Sequence, residues 1–528
     1  MSLPRPVAAS LWLLLFALAA LLNAGGYRFG ASDQAFYIPA VARHADPSLF
    51  PRDWTMLGAQ DQLNAFTPLA GFLVGTVGVP LPALFLALYL VTLVALGLAG
   101  LAFARRLGGR STWTAIAILF ALSLRHAVAL GAVNTLEGYT HPRMLAFAAG
   151  VLALAALLGG RRRAVVALVA LAGVVHPTTA LWFAAVAGVG LMVAHERWRP
   201  WLAASATLLA AASAWALLAG PLAPRLVHMD ADWLAVLAGK RYLFPDRWPV
   251  SAWVLVGVYA AVIGAVHWHR RRSGLVSGAE AGLVLGVASL LVLFGISVPL
   301  DHTRVAFVVQ LQVPRVLWIA DLLAVTYAVW VLCEWKESGI GGQGSGVTDH
   351  RSEAAGAGST GGARKAEGRA PDTRARVVAL VIVAVALGRG VYVSVVEHPG
   401  RPVAQVGLPD TDWNRALRWI EANTPHDALV VADPAHAWRH GTSVRVGARR
   451  DVLLEEVKDS AMALYSRDSA LRVLDRVQAL QGFEALTTER ARALGIRYGA
   501  GVLVIDRDLD LPLRHREGAF RIYALEQP

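Results

Sequence analysis

Residues 25–54 read GGYRFGASDQAFYIPAVARHADPSLFPRDW. This polar and aromatic stretch follows an apolar segment at residues 7–22, and about ten further apolar segments come after it. The alternation of apolar segment and loop that begins here decides the fold class, because such runs are typical of membrane-spanning helices. The stretch also places Asp33 about ten residues beyond the first expected crossing. A carboxylate at that position either caps a helix or carries out chemistry.

The bulk composition agrees with a membrane protein. The chain has 528 residues, of which 56% are hydrophobic and 16% are charged, whereas soluble domains are about 45–50% apolar and about 25% charged. Long apolar runs recur along most of the length. We therefore predict a polytopic α-helical membrane protein with about eleven transmembrane helices, rather than a soluble protein with a large core.

The net charge of +12 has a topological explanation. Many of the arginines form short clusters between apolar segments, namely Arg105 and Arg106, Arg161 to Arg163, and Arg270 to Arg272. The positive-inside rule concentrates such clusters in cytoplasmic loops. We expect membrane lipid, and no nucleic acid, to be the partner of this basic chain. The rule also places the N-terminus in the cytoplasm.

The domain organisation follows from the changes in composition. Residues 1–337 form a multi-helix membrane domain whose outer loops hold the active site. Residues 338–376 are rich in Gly, Ser and Ala, which predicts a disordered cytoplasmic linker. Residues 377–396 form the last crossing, and residues 397–528 form a small α/β domain. With about eleven crossings, that domain lies outside the cytoplasm.

The C-terminal domain shows both helical and strand patterns. Helices are predicted at residues 412–422, 469–480 and 488–494, with Thr487 or Thr488 as an N-cap, and strands at residues 428–432, 501–505 and 520–525. In the membrane domain, residues 112–132 are predicted as a full crossing. Residues 164–175 are too short to span before His176 and Pro177, which suggests two short helices that meet beside a cavity.

The two predicted outer loops carry the acidic candidates. Asp33 is either the cap of a helix through residues 36–41 or a reactive group. Asp46 and Asp53 flank prolines and are interpreted as turn residues. Glu137 lies in the second outer loop, close to His141 and Arg143, and is either a second reactive acid or a solvated loop acid.

The remaining candidates are basic. His176 is either a satisfied buried histidine or a residue of the cavity wall. Arg143, Arg304 and Arg315 lie at outer ends of helices, where they can clamp a phosphate or extend to lipid headgroups. Cys333 is the single cysteine, so no intrachain disulfide or thiolate metal site is expected, and a packing role is predicted. The sequence contains no HExxH, Walker or GxSxG motif.

The layout resembles the GT-C superfamily of integral-membrane glycosyltransferases. The resemblance is carried by SDQAFYIPAVARHADPSLFPRDW after the first crossing, by Glu137 with His141-Pro142-Arg143, and by the His176-Pro177 break. It is also carried by the segment from Gln312 to Arg315 and by TDWNRALRWIEANTPHDALVVADP in the C-terminal domain.

The resemblance implies an inverting enzyme of a bacterial cytoplasmic (inner) membrane that takes its sugar from a polyprenyl-phosphate carrier. It implies Asp33 as the general base and Glu137 as the second acid. The substrate-binding residues that it implies are His141, Arg143, His176, Arg304 and Arg315. Many members carry an acid pair in the first loop, where this chain has Asp33 and Gln34. The involvement of a divalent metal is therefore an open question that the residues do not support. No other cofactor is expected.

General physical chemistry agrees with those roles. A carboxylate that accepts the proton of an attacking hydroxyl is a general base, and a phosphate leaving group needs positive charge nearby. Nucleotide sugars are cytoplasmic, so an outward site implies a lipid-carried donor. Two alternatives remain, a transporter or lipid-handling protein whose broken helices line a substrate path, and a non-catalytic envelope assembly protein. The sequence leaves the oligomeric state open.

Overall fold

The computed structural model describes residues 5–61, 64–107, 111–126, 128–335 and 373–525. Within these ranges, seven helices are long and apolar enough to cross a membrane. They are Leu81–Leu107, Pro177–Ala194, Glu196–Leu218, Val250–Arg272, Gly278–Asp301, Ala306–Glu334 and Thr373–Glu397. Shorter apolar helices accompany them at Val7–Asn23, Phe66–Gly75, Thr112–Ala121 and Pro142–Leu158. The polytopic helical fold is confirmed at this level, whereas the count of about eleven crossings stays a prediction.

The helices of the described residues, in chain order, have the following bounds. They are α1 (Arg5–Asn23), α2 (Gln34–Ala45), α3 (Trp54–Asp61), α4 (Phe66–Gly75), α5 (Leu81–Leu107), α6 (Thr112–Ala121), α7 (Pro142–Leu158), α8 (Arg162–Val175), α9 (Pro177–Ala194), α10 (Arg199–Leu218), α11 (Ala231–Leu237), α12 (Val250–Arg272), α13 (Gly278–Asp301), α14 (Ala306–Leu311), α15 (Leu317–Glu334), α16 (Thr373–Tyr392), α17 (Asp412–Asn423), α18 (His436–His440), α19 (Val444–Gly447), α20 (Glu456–Met462), α21 (Arg467–Ala479) and α22 (Thr488–Tyr498).

The C-terminal domain contains the strands of a small mixed sheet, as predicted. The strands of the described residues are β1 (Tyr27–Arg28), β2 (Ala404–Gln405), β3 (Leu429–Val431), β4 (Asp451–Val452), β5 (Val502–Ile505), β6 (Leu513–Glu517) and β7 (Phe520–Ala524). The domain sheet has the order β4-β3-β5-β7-β6, in which β3 is parallel to β4 and β5 and the remaining pairs are antiparallel. The predicted helices correspond to α17, α21 and α22, and the side chain of Thr487 caps α22.

One prediction about the helices is wrong, and another lies largely outside the described residues. The full crossing predicted at residues 112–132 is wrong, because α6 ends at Ala121 after ten residues. The chain then turns, and the hydroxyl of Ser123 donates to the carbonyl of Phe120 at 2.7 Å. The linker predicted at residues 338–376 lies outside the described residues up to residue 372, and α16 begins at Thr373.

Three long helices, two of which end in arginines, meet at one end of the bundle. Arg270, in the last turn of α12, donates to the carbonyl of Leu107 at the end of α5. It also pairs with Glu280 in the first turn of α13, at 2.8 Å and 3.0 Å. The predicted cytoplasmic arginine clusters at residues 105–106 and 270–272 therefore lie on the same side of the molecule.

Three of the predicted outer segments contact the C-terminal domain directly. In the first loop, β1 pairs in parallel with β2, which lies near the start of the domain. Between α10 and α12, Trp233 donates to the carbonyl of Ala463 at 2.8 Å, and further along the chain Gln310 donates to that of Leu464 at 3.0 Å. The domain thus packs against the first loop, which carries Asp33.

The first loop reaches the domain through a buried aspartate. Asp53 lies in a turn before α3, as predicted, and its side chain is also completely buried. Its carboxylate accepts from Nε of Arg445 at 2.7 Å and from the backbone of Val452 at 3.2 Å. Asp46, by contrast, forms the expected turn with Ser48.

Candidate functional site

A cavity of about 440 Å³ lies between the loops and the C-terminal domain. Five of the seven predicted site residues line it, namely Asp33, His141, Arg143, His176 and Arg315. Four segments that are distant in the sequence supply these residues, and α20 of the C-terminal domain supplies another part of the wall. The prediction that separate loops share one chamber therefore agrees with the fold.

Asp33 is held by polar contacts rather than by a capping role. It occupies the position before α2, but its side chain makes no capping hydrogen bond. Instead, Oδ1 accepts from Nζ of Lys458 at 2.6 Å, and Oδ2 lies 3.2 Å from Nε2 of His141. The preceding residue, Ser32, has a positive φ of 52°, a conformation that costs free energy and is often found at functional sites. The reactive-group interpretation therefore gains support over the cap.

His141 orients Asp33 through a defined tautomer. Its Nδ1 accepts the backbone N–H of Arg143 at 3.2 Å, because His141 caps α7. A neutral imidazole that accepts at Nδ1 carries its proton on Nε2. The Nε2–H group therefore donates to Oδ2 of Asp33. Burial lowers the pKa of His141, and Arg143 lowers it further, which favours this neutral ring.

The charge of Asp33 is strongly stabilised. Burial raises the pKa of its carboxyl, but Lys458, His141 and Arg143 together outweigh burial and hold the pKa well below its usual range. The group is therefore ionised, yet it is a weak base while those partners stay in contact.

Gln34 explains why no second acid stands directly after Asp33. This residue is completely buried. Its Oε1 accepts from the backbone of Gly30 at 2.7 Å, and its Nε2 donates to the carbonyl of Thr140 at 3.3 Å. A carboxylate cannot donate to a carbonyl. The amide therefore links the first loop to the second loop, and this role is structural.

Glu137 lies behind the cavity wall. Only 4% of the residue is exposed, and it is not among the lining residues. Its Oε1 contacts Nη2 of Arg143, which lies 3.9 Å from Oδ2 of Asp33. Burial raises the pKa of the Glu137 carboxyl, and Arg143, His141 and Tyr139 together more than offset this, so that the pKa falls below its usual value. This position fits a residue that orients Arg143, and the role of second catalytic acid stays a prediction.

The cavity wall has a large excess of positive charge. Asp33 is the one carboxylate among its lining residues, against the cationic side chains of Arg143, Arg225, Lys240, Arg315 and Lys458. Arg225 donates to the neutral Gln310 at 3.1 Å, and Lys240 donates to the carbonyl of Val457 at 2.7 Å. These contacts leave their charges uncompensated. Such a wall attracts an anion.

Several polar atoms of the wall lack partners. Nε of Arg315, Nε of Arg143 and Oε1 of Gln312 are buried without a hydrogen-bond partner in the described part of the chain. Gln312 also has a positive φ of 50°. Most buried polar atoms in proteins are hydrogen-bonded, so a group of exceptions at one cavity points to a polar ligand.

The two other predicted residues have different surroundings. His176 lines the cavity and caps α9, where Nδ1 accepts from the backbone of Thr179 at 3.3 Å. Arg304 does not line the cavity. Its guanidinium binds both carboxylate oxygens of Asp246, at 3.2 Å and 2.6 Å. A guanidinium that binds a carboxylate through two contacts already has an anionic partner and is not available for a phosphate.

Sequence reasoning missed the contributions of Lys240 and Lys458. Both line the cavity, and Lys458 comes from the domain at the far end of the chain. One signal was available, because the chain contains only four lysines among its 49 basic residues. Lysine is a compact point charge on a flexible stem and is not interchangeable with arginine. Two of these four rare residues therefore meet at the site.

The acidic cluster does not fit a divalent cation in this arrangement. One oxygen of Asp33, one of Glu137 and one nitrogen of His141 lie within 4.8 Å of one another. However, Lys458 and Arg143 already neutralise the two carboxylates. His141 uses Nδ1 as an acceptor and Nε2–H as a donor, so it has no free lone pair for a metal.

A second cavity of about 410 Å³ lies within the C-terminal domain, at the carboxyl ends of β3 and β5. Its wall includes Arg439, which pairs with Asp433 and Glu484. Its lining residues include three acids and two arginines, in contrast to the cationic cavity.

Comparison with known proteins adds no assignment, since no protein-family model matches the chain and no curated protein is significantly similar to it.

Proposed function

We propose that this protein is an integral-membrane glycosyltransferase of the GT-C type. It moves a sugar from a polyprenyl-phosphate carrier to an acceptor hydroxyl outside the cytoplasmic membrane. The observation that carries the proposal is the shared cavity, in which one oriented carboxylate, Asp33, faces an excess of cationic side chains. A base beside an anion site is what glycosyl transfer from a lipid phosphate requires.

In the proposed reaction, the acceptor hydroxyl attacks the anomeric carbon of the donor sugar. Asp33 accepts the hydroxyl proton while the new C–O bond forms. The bond between the anomeric carbon and the phosphate oxygen breaks, and polyprenyl phosphate leaves with the electron pair. Arg143 and Arg315 stabilise the negative charge that develops on the leaving group. Attack opposite to the leaving group inverts the anomeric carbon.

The proposed topology is the one expected from the arginine clusters. The proposed count stays at about eleven crossings, and the seven long apolar helices support most of it. The N-terminus lies in the cytoplasm, and the C-terminal domain lies outside. What supports this is that the predicted outer loops share one side with the domain, while Arg270 and the end of α5 meet at the other.

A transporter or lipid-handling protein is the second candidate. The observation in its favour is the break between α8 and α9 at His176 and Pro177, because both residues line the cavity. Broken helices of this kind form substrate paths in transporters.

The test is sugar transfer by purified protein in proteoliposomes that contain a polyprenyl-phosphate sugar. Asp33→Asn is expected to lower the transfer rate about 10²–10⁴-fold, because the general base is lost. Asp46→Asn is the matched control, since Asp46 is a carboxylate of the same loop with a turn role. Full activity of Asp33→Asn would refute the proposed base. Solute flux that survives this substitution, without sugar transfer, would favour the transporter.

A further inference from the structure

The C-terminal domain contributes part of the cavity wall through α20 and the turn after it. The residues involved are Val457, Lys458, Ala461, Met462, Leu464 and Tyr465. Among them, Lys458 approaches Asp33 most closely, with Nζ 2.6 Å from Oδ1. The proposed base is therefore covered by a cation from a different domain.

The backbone of α20 is firmly held on its other side. Asp459, the residue after Lys458, accepts two hydrogen bonds from Arg445 at 2.7 Å and 3.0 Å. Arg445 also binds Asp53 of the first loop at 2.7 Å. The side chains of Arg445, Asp459 and Asp53 are at most 2% exposed. The helix that carries Lys458 is thus fixed to the loop that carries Asp33.

The side chain of Lys458 is less constrained than its helix. It is 16% exposed, and within the described part of the chain its Nζ has, besides Asp33, one longer contact of 3.3 Å with Ser32. Lysine has a flexible four-carbon stem. A rotation of this stem can therefore move the ammonium within the cavity without moving α20.

Lys458 has one carboxylate partner in the cavity wall. It pairs with Asp33, the one carboxylate among the described residues that line the cavity. A bound phosphate carries equal or greater negative charge, and two charges attract strongly in a partly buried site. Lys458 would then have a second partner inside the same cavity.

We propose that Lys458 exchanges partners when the donor binds, from the carboxylate of Asp33 to the phosphate of the lipid carrier. This inference rests on the proposed function. The exchange frees Asp33 to accept a proton only when a donor is present. Lys458 is then a donor-binding residue, and Arg445 and Asp459 are positioning residues that hold α20.

The first test measures binding of a polyprenyl phosphate without sugar to the full-length protein in detergent micelles. Lys458→Gln is expected to weaken binding about tenfold, and Lys458→Arg is expected to restore most of it. Arg467→Gln is the matched control, because Arg467 joins the same domain to Asp230 through an exposed ion pair outside the cavity wall. The thermal midpoint of each variant separates lost binding from lost folding.

The second test compares pH profiles of sugar transfer. Asp33 faces Lys458, His141 and Arg143, and its pKa in the free protein is held low by these groups. In Lys458→Gln, the acidic limb of kcat/KM for the donor should move to higher pH by about one pH unit. The acidic limb of kcat, which reports the donor complex, should move less, because Lys458 has already left Asp33 there.

The outcomes separate this inference from the proposed function. Wild-type protein that neither binds the carrier phosphate nor transfers sugar would overturn both. Wild-type protein that does both, with an unchanged dissociation constant in Lys458→Gln, would overturn the exchange alone. Equal movement of the two acidic limbs would also overturn it, because Lys458 would then stay on Asp33 in the donor complex.

Discussion

Two neighbouring residues of α20 belong to two very different groups of charges. Lys458 belongs to the cavity, where five cationic side chains surround one carboxylate. Asp459 belongs to a closed network in which Arg445 is shared with Asp53 of the first loop. The same two parts of the chain, the first loop and the C-terminal domain, supply both groups.

The difference between these groups separates structural charges from functional ones. In the closed network, which also includes Glu455 and Arg472, each charged group lies beside an opposite charge, which is the condition under which ionic groups are tolerated in a protein interior. Oε1 of Glu455 and Nε of Arg472 nevertheless lack a hydrogen-bond partner among the described residues, as do Nε of Arg315 and Oε1 of Gln312 in the cavity. The difference is that the groups in the cavity border a space that a polar ligand can fill.

Arg445 should give the largest effect on stability. Arg445→Met leaves Asp459 and Asp53 buried without their shared cation, and breaking a buried pair costs about 3–5 kcal/mol. We expect a large fall in the thermal midpoint of the detergent-solubilised protein. Arg497→Gln is the control, because Arg497 pairs with Asp475 on the surface, and it should change the midpoint little. Similar midpoints for both variants would contradict the assignment of the network as structural.

Arg315 and Arg304 provide the second comparison. Both were predicted to bind phosphate, but Arg315 lines the cavity and Arg304 is bound to Asp246. Arg315→Gln should weaken binding of a polyprenyl phosphate about 10–100-fold, because a charge-assisted contact worth about 1.5–3 kcal/mol is lost. Arg304→Gln should leave this affinity unchanged and lower the thermal midpoint. Equal losses of affinity in the two variants would contradict the structure, in which Arg315 lines the cavity and Arg304 does not.

Glu455 should give the smallest effect on stability. The pH dependence of that effect tests the closed network. Burial raises the pKa of this carboxyl from its ordinary 4.5 to about 7, although Arg445 acts in the opposite direction. The folded protein therefore holds this proton more tightly than the unfolded chain. The resulting stability is complete below about pH 4.5 and is lost as the pH rises through about 7, by roughly 1–3 kcal/mol.

Glu455→Gln tests this directly, since glutamine resembles the protonated form. The difference in thermal midpoint between this variant and the wild-type protein should change between pH 5 and pH 8, in favour of the variant at the higher pH. A difference that stays constant over this range would show that Glu455 does not titrate there.

Much of the site was accessible from the sequence because its loops have unusual chemistry. Asp33, His141, Arg143, His176 and Arg315 were selected as ionisable groups beside apolar segments, where charge is expensive to keep. Arg304 met the same criterion, yet its partner Asp246 lies 58 residues away in the chain. Nothing local to either residue indicates that pairing.

Other features could not be predicted for a similar reason. Lys458 reaches Asp33 across 425 residues, and Asp53 reaches Arg445 across 392. The turn at Asp53 was predictable from the neighbouring Pro51, but its burial and its pairing with Arg445 were not. The early end of α6 at Ala121 was missed because residues 112–132 remain apolar enough to suggest a continued helix.

The sequence by itself determined that this is a helical membrane protein with polar loops and a small α/β domain, because hydropathy and periodicity are local properties of the chain. The tertiary structure alone decided which of the many charged loop residues face a common cavity and which neutralise one another. Ion pairing depends on distances between atoms that are remote in the sequence, and those distances exist only after the domain has docked onto the loops.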